Sequence, residues 1–500
     1  MKNSYFDLVD QTFDFPQDEF TLQDNCLQFH GINLYELIQK YGTPMKVTFL
    51  PRISQQIQNA KKWFNNAIDD LNYNGEYFYC YCTKSSHFRF VLDEVLKNNV
   101  QIETSSSFDI DLIKKLFQDG KINRDKTIVC NGYKDASYVH KIAHLVNSLG
   151  FTNVIPICDN RDEIDLYDAH IVKTCNIGIR VATEEEPNFQ FYTSRLGIRH
   201  TRIVNFVKDK ILTNPKFKLK MLHFFVDTGI KDTTYYWSEL RKAIKLYCQL
   251  KHYCPDLDSL NIGGGLPIAN SLNFEYDYAY MVSEIVRTIK TYCDDEGVAQ
   301  PDIYTEFGKY TVGESGATVL GVIGQKQQND SELWYMVDNS LITTIPDAWA
   351  INERYILLPV NHWNKEYTRV NVGGLSCDNA DYYNSEAHLN MVYMPKFSKN
   401  EEMLYVGFFN TGAYQDALSG YGGVKHCLLP SPKRVLVDID ENGNQVDWLE
   451  SAEQDAESML KLLGYWYRLL KSKFYVIGYR NLGFTTLLIS EKGIKSSISP

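Results

Sequence analysis

From residue 45 to about 320 the chain alternates between two hydrophobic patterns. Short runs rich in β-branched and aromatic residues occupy 77–83, 100–103, 127–131, 153–157, 176–181, 219–225, 258–262 and 302–306. Between most of them lie longer runs, 87–98, 108–118, 136–148, 234–252 and 275–293, with apolar residues at helical spacing. In the first of these, Val91, Leu92, Val95 and Leu96 form one buried stripe. Strands separated by helix-length segments predict βαβ units and a parallel sheet. Eight such units closing on themselves make a (β/α)8 barrel, typically about 250 residues long. An open doubly wound sheet is the alternative, and eight repeats favour closure. A strand over residues 45–50 and a helix over 57–71, with Ile57, Ala60, Trp63 and Phe64 on one face, open this span.

Past Gly321 the rhythm changes. Trp334-Tyr335-Met336-Val337, Tyr355-Ile356-Leu357-Leu358, Met391-Val392-Tyr393 and Val435-Leu436-Val437-Asp438 read as strands between turn-rich loops, an antiparallel β domain. Residues 452–463 read as a helix. Ahead of the barrel, 20–23 and 26–30 are strand-like and 33–38 helical. The fold class is therefore α/β plus all-β. An N-terminal segment, 1–44, packs with the β domain; the barrel spans 45–320, the β domain 321–463, and a tail, 464–500, has no assigned role.

Composition narrows the function classes. A chain of 500 residues exceeds one ordinary domain, and 44% hydrophobic with 23% charged residues is usual for a globular protein. The net charge of −11 argues against a general binder of nucleic acid or anionic membrane and suits a cationic substrate. Eleven cysteines without a CxxC pair read as reduced, mostly buried thiols of a cytoplasmic protein. The first seven residues lack a signal-peptide core, and no apolar run approaches the roughly 20 residues of a membrane helix. The eleven histidines lack zinc-ligand spacing to cysteine or to one another, so no metal is expected.

The candidate chemistry sits at strand ends. Tyr77-Phe78-Tyr79-Cys80-Tyr81-Cys82-Thr83-Lys84 ends in one lysine just before a helix, where parallel α/β enzymes place their reactive groups. Partly desolvated, its amine could be neutral enough to attack a carbonyl; otherwise it is a solvated strand-end lysine. Asn261-Ile262-Gly263-Gly264-Gly265 is either an anion cradle or a flexible turn. Glu306 ends the eighth strand and His223 the sixth, each with a bland reading as a structural ion pair or a satisfied core imidazole. Arg180 and Arg195 could hold an anion or solvate a loop, and Glu184-Glu185-Glu186-Pro187 reads as a solvated loop. In the β domain, Gly373-Gly374-Leu375-Ser376-Cys377-Asp378 presents a thiol beside a carboxylate, and Asn410-Thr411-Gly412-Ala413-Tyr414 presents a phenol. As a set, a lysine, a rim carboxylate, an imidazole and a glycine phosphate loop suit pyridoxal phosphate, which needs each part.

At this point the chain resembles the fold-type III decarboxylases, the group of ornithine, diaminopimelate and biosynthetic arginine decarboxylases, over about residues 20–440. It is most similar to the arginine-decarboxylase-like branch, through Thr83-Lys84, Ile102-Glu103-Thr104-Ser105-Ser106, Pro346-Asp347-Ala348-Trp349, Cys377-Asp378 and Gly412-Ala413-Tyr414-Gln415. The resemblance implies a barrel followed by a β domain, and decarboxylation of a basic amino acid, arginine first, with diaminopimelate, ornithine or carboxynorspermidine as alternatives. It implies that Lys84 binds the cofactor, that Glu306 pairs with its pyridine nitrogen and that His223 stacks on its ring. Gly263, Gly264, Gly265 and Tyr414 would hold the phosphate, with Lys309 in place of the family's usual arginine and Thr228 near a replaced Gly-Ser. Glu103 and Asp109 match acidic positions beside the lysine, and Arg180 lines the cofactor site. Cys377 would return a proton to Cα, with Asp378, Asp381 and Asp347 toward the substrate. The resemblance also implies a homodimer in which Cys377 and Asp378 reach the partner's site. A catalytically silent homologue and a racemase remain the other readings. Retention of Lys84 and Cys377 argues against the first, and the cysteine turn against the second.

Overall fold

The computed structural model describes residues 18–184, 193–330, 332–383, 392–398 and 400–465, together with the backbone of 489–490 and 493–494. Nearly all of the 464–500 tail, and Glu185 to Pro187, lie outside the described residues. The barrel strands are β1 (Tyr77–Cys82), β2 (Gln101–Thr104), β3 (Ile128–Cys130), β4 (Val154–Cys158), β5 (Cys175–Ala182), β6 (Phe217–Phe224), β7 (Ser259–Asn261) and β8 (Asp302–Thr305). Neighbours pair in parallel around the ring, and β8 closes on β1 with Ile303 opposite Tyr77. Closure follows from the sequence: every strand is apolar enough to be buried on both faces. Cys80, Val129, Ile155, Ile157, Met221 and Tyr304 fill the interior, so the barrel is a packed core whose chemistry is confined to its rim.

Helices Arg89–Leu96, Ser107–Gln118, Thr234–Lys251 and Tyr278–Asp295 match the periodic runs. Two further helices, Glu163–His170 and His200–Phe206, escape periodicity because they are short and turn few apolar residues inward. Ile164 and Tyr167 are the buried apolar residues of the first, too few to make a stripe.

Among the described residues the second sheet has ten strands, including Gly316–Asn329, Tyr367–Gly373, Tyr405–Phe409 and Lys433–Ile439. It departs from the sequence reading in two ways. Met45–Phe49, read as the opening of the barrel span, is one of its members, antiparallel to Gly316–Asn329 and parallel to Lys433–Ile439. Parallel pairing also occurs between Glu332–Val337 and Tyr367–Gly373, so the sheet is mostly, not wholly, antiparallel. Strand pairing across hundreds of residues leaves no local trace, whereas the apolar alternation that marks a strand does. The N-terminal strands Phe20–Gln23, Cys26–Phe29 and Ile32–Asn33 bury Phe20, Leu27 and Phe29 against Val435, Val437 and Phe409 of this sheet.

Candidate active site

Lys84 stands where β1 gives way to a single 3-10 turn, Thr83–Ser85. Thr83 and Ser85 are buried, but nearly half the Lys84 side chain (45%) reaches solvent. Its Nζ lies 3.5 Å from Oε1 of Glu103, which is wholly buried at the end of β2. Burial works against the charge on Lys84, but Glu103, Cys82 and Glu306 outweigh it and hold the amine above its ordinary range. Desolvation, which could have left the amine neutral, is here outweighed by the neighbouring acids, which favour the charged form.

Glu306 follows β8 and is buried. Its Oε1 accepts from Asn131 Nδ2 (2.9 Å) and Asn261 Nδ2 (2.7 Å), and its Oε2 meets His223 Nε2 at 3.2 Å. Burial alone would raise this carboxyl; His223, Lys84 and the amides pull it below the usual carboxylate range. Asn131 follows β3, Asn261 ends β7 and His223 lies near the end of β6, so four strands converge on one carboxylate. Asn131 bridges the acids, donating also to Glu103 Oε1 at 3.1 Å. Neither asparagine was singled out from the sequence. A polar residue at the exit of an otherwise apolar strand is the signal that points to them.

Beside this cluster the Gly263-Gly264-Gly265 loop follows β7. Gly263 and Gly265 adopt φ of 70° and 101°, open to few side-chain-bearing residues. A Cβ at Gly263 would lie 2.6 Å from the Phe224 carbonyl, and one at Gly264 would lie 2.5 Å from that of Glu306. The loop thus sits hard against the β6 and β8 exits, where only bare backbone fits. Arg180 lies opposite His223 in the β5–β6 register, its guanidinium 5.9 Å from the Phe225 ring.

The β domain supplies Tyr414. Its backbone N–H donates to the Ser85 carbonyl (2.8 Å), one residue from Lys84, and its φ is 66°, a strained value for a tyrosine. Asn131 Oδ1, Glu103 Oε2 and His223 Nδ1 are buried without a hydrogen-bond partner. Three orphaned polar atoms, a lysine beside the buried Glu103 and a glycine loop that a Cβ would obstruct fit pyridoxal phosphate.

Several expected residues do other work. Asp109 caps helix Ser107–Gln118, accepting from Ser105 N (2.8 Å) and Ser106 N (3.1 Å), and meets His87 Nε2 at 3.0 Å. Lys309, expected at the phosphate, is ion-paired to Glu353 at 2.7 Å. Asp381 is buried with both oxygens occupied by the N–H groups of Leu341, Ile342 and Ser376, so it anchors the cysteine turn instead of standing free for substrate. Asp347 is likewise tied to Gln415 Nε2 (2.8 Å). Glu184, read as part of a solvated loop, is buried and bound by Arg199 Nε at 2.8 Å. Cys377 and Asp378 are exposed.

The closed parallel barrel carries a rim lysine 3.5 Å from a buried carboxylate, and residues 51–313 match the pyridoxal-binding domain of the pyridoxal-dependent decarboxylases. The chain belongs to that family; it is an amino-acid decarboxylase whose cofactor is pyridoxal phosphate. It is 21% identical to the biosynthetic arginine decarboxylase of Prochlorococcus marinus (strain MIT 9215), over 87% of this chain and 85% of that protein. The crystal structure of the biosynthetic arginine decarboxylase from Campylobacter jejuni superposes with a TM-score of 0.73 at 18% identity, covering 94% of this chain and 93% of that one. Diaminopimelate decarboxylase from M. jannaschii, in complex with L-lysine, gives 0.70 at 17% identity, covering 88% and 96%. These superpositions establish the shared fold.

Proposed function

We propose that this chain converts L-arginine to agmatine and carbon dioxide at the head of polyamine synthesis, as a cytoplasmic homodimer with shared active sites. The reaction rests on one observation: Lys84, Glu103, Glu306 and His223 converge on the barrel rim. The substrate rests on the similarity to arginine decarboxylases along most of both chains, supported by the acidic, exposed Asp378 on the cysteine turn.

When bound, pyridoxal phosphate supplies an electron sink for the pair left on Cα as the substrate carboxylate departs. Lys84 would hold the cofactor through its amine, 3.5 Å from Glu103, which favours positive charge there. Glu306, ionised at neutral pH, would keep a proton on the cofactor's pyridine nitrogen, and Asn131 and Asn261 fix the orientation of its carboxylate. His223 would lie beside the cofactor ring, and the glycine loop and Tyr414 would hold its phosphate. The Cys377 thiol returns a proton to Cα from the partner's side, and Asp378 takes the substrate's distal cation. Glu306 is already oriented by Asn131, Asn261 and His223, the kind of preorganisation from which electrostatic stabilisation of a transition state draws.

Decarboxylation of diaminopimelate is the second reading, favoured by the near-equal superposition on that enzyme. Mass spectrometry of the holoenzyme with arginine, ornithine, lysine and diaminopimelate decides between them. Agmatine as the sole product is the expected result. A different amine would keep the mechanism and replace the substrate, and no product with cofactor visibly bound would overturn arginine as the substrate and point to an amino acid outside these four.

A further inference from the structure

Cys377 does not stand alone. Its Sγ lies 3.4 Å from Sγ of Cys427, fifty residues later, and His426 brings an imidazole to the same point. The ligand atoms of Cys377, His426 and Cys427 all lie within 4.8 Å of one another. His426 Nε2 also faces Asp378 Oδ2 at 4.0 Å. All four side chains are exposed in the single chain.

The two loops are built differently and meet by design of the fold. Asp381 ties the Gly373–Asp378 turn to the start of helix Leu341–Thr344. The other loop turns sharply at Cys427 and Leu428, with φ of 57° and 53°, values unusual for side-chain-bearing residues. That turn places His426 and Cys427, neighbours in sequence, beside the same thiol.

We propose that Cys377, His426 and Cys427, completed by Asp378 or water, form a binding site for a thiophilic divalent cation of the Zn2+ class, and that its occupancy switches decarboxylation off. Two thiolates and an imidazole select Zn2+ over Mg2+ or Ca2+, which prefer oxygen donors. Zinc–sulfur bonds of about 2.3 Å in a tetrahedron bring two sulfurs close to the separation seen here. On binding, each thiol gives its proton to solvent and forms one bond to the metal, with no change of oxidation state. A metal-bound thiolate has no proton to deliver, so a chain carrying the ion cannot use Cys377. The binding site stands on this geometry alone; its inhibitory effect rests on the role of Cys377 under Proposed function.

Co2+ titration of the holoenzyme is the direct test, since thiolate-bound tetrahedral Co2+ shows strong visible bands at longer wavelength than the cofactor. One equivalent per chain, displaced by Zn2+, is the expected result. Cys427→Ser and His426→Ala should each weaken binding by more than about tenfold, a loss that even outer-shell partners can cause. Both variants should keep full activity in chelator and lose inhibition by Zn2+. Absence of a one-to-one Co2+ spectrum, or binding unaltered in both variants, would overturn the site. A mass two hydrogens lighter without bound metal would replace it with a disulfide. If Zn2+ binds but Cys377→Ser retains full turnover, the site stands and the inhibitory claim falls together with the role of Cys377 as proton donor.

Discussion

The charge at Lys84 is decided by residues that are its neighbours only in space. Glu103 and Glu306 come from strands β2 and β8, and each is held by Asn131. Lys84→Ala should abolish both the visible absorbance of protein-bound cofactor and turnover; a variant that keeps colour and activity removes Lys84 from the site. Glu306→Gln keeps the shape but surrenders the charge. Loss of one preorganised electrostatic partner in a buried site costs about 2.7–4 kcal/mol, so kcat should fall by about 10²- to 10³-fold. Steady-state kinetics with saturating cofactor measure this, and an unchanged kcat would remove Glu306 from catalysis. The strand-end positions of Lys84, His223 and Glu306 were legible in the sequence, because a polar residue ending an apolar run is conspicuous. The engagement of Asp381 and Asp347 was not, because a hydrogen bond to a distant backbone group leaves no local pattern.

Among the structural elements, the turn carrying Tyr414 matters most. Thr411 N–H donates to Gly316 O and Gly412 N–H to Gly313 O, each at 3.0 Å, which seats the turn on the segment that leads from the barrel into the second sheet. A Cβ at Gly412 would overlap the Val312 carbonyl, so backbone must approach backbone directly there. Gly412→Ala should therefore act as an overpacking substitution, costing about 1–3 kcal/mol, and should displace Tyr414 from the Lys84 turn. Thermal denaturation and cofactor affinity together check it: a lowered Tm with weaker cofactor binding is expected, and wild-type values for both refute the seam. The sequence marked this stretch as a glycine turn, yet its docking partner lies a hundred residues earlier.

At the scale of the whole molecule, a charge triad of buried Lys46 and Arg434 around partly buried Asp416 joins three separate parts of the chain. Asp416 binds Lys46 at 3.0 Å and Arg434 at 2.8 Å, and the Arg434 guanidinium lies 4.4 Å from the ring of Phe88, just past the lysine turn. Burial would raise the Asp416 carboxyl, but the two cations hold it well below the usual carboxylate range. Its contribution is thus complete above the ordinary value of about 3.9 and is lost as pH falls further. Asp416→Ala leaves two cations unpaired, and unfolding should become easier by about 3–5 kcal/mol at neutral pH, measured by denaturant titration. Glu19 has the opposite sign. Burial and the nearby Glu314 raise it to about 7, so its stabilising proton is fully bound below about 4.3 and lost as pH rises through about 7. Between pH 8 and 5 the wild-type Tm should rise, and Glu19→Gln should flatten that rise; an equal slope in the variant refutes the assignment.

What the sequence determined by itself was the barrel: eight strands within a few residues of their observed bounds, most helices, and the lysine, histidine, carboxylate and glycine loop at strand exits. Those features are written in periodicity and in breaks of periodicity, which depend only on neighbours along the chain. Tertiary structure alone decided that Met45–Phe49 joins the β sheet, that Asn131 and Asn261 orient Glu306, and that Cys377 meets His426 and Cys427. Each of these depends on contacts between segments distant in sequence, and the free energy that selects them is set by the packing of the whole fold.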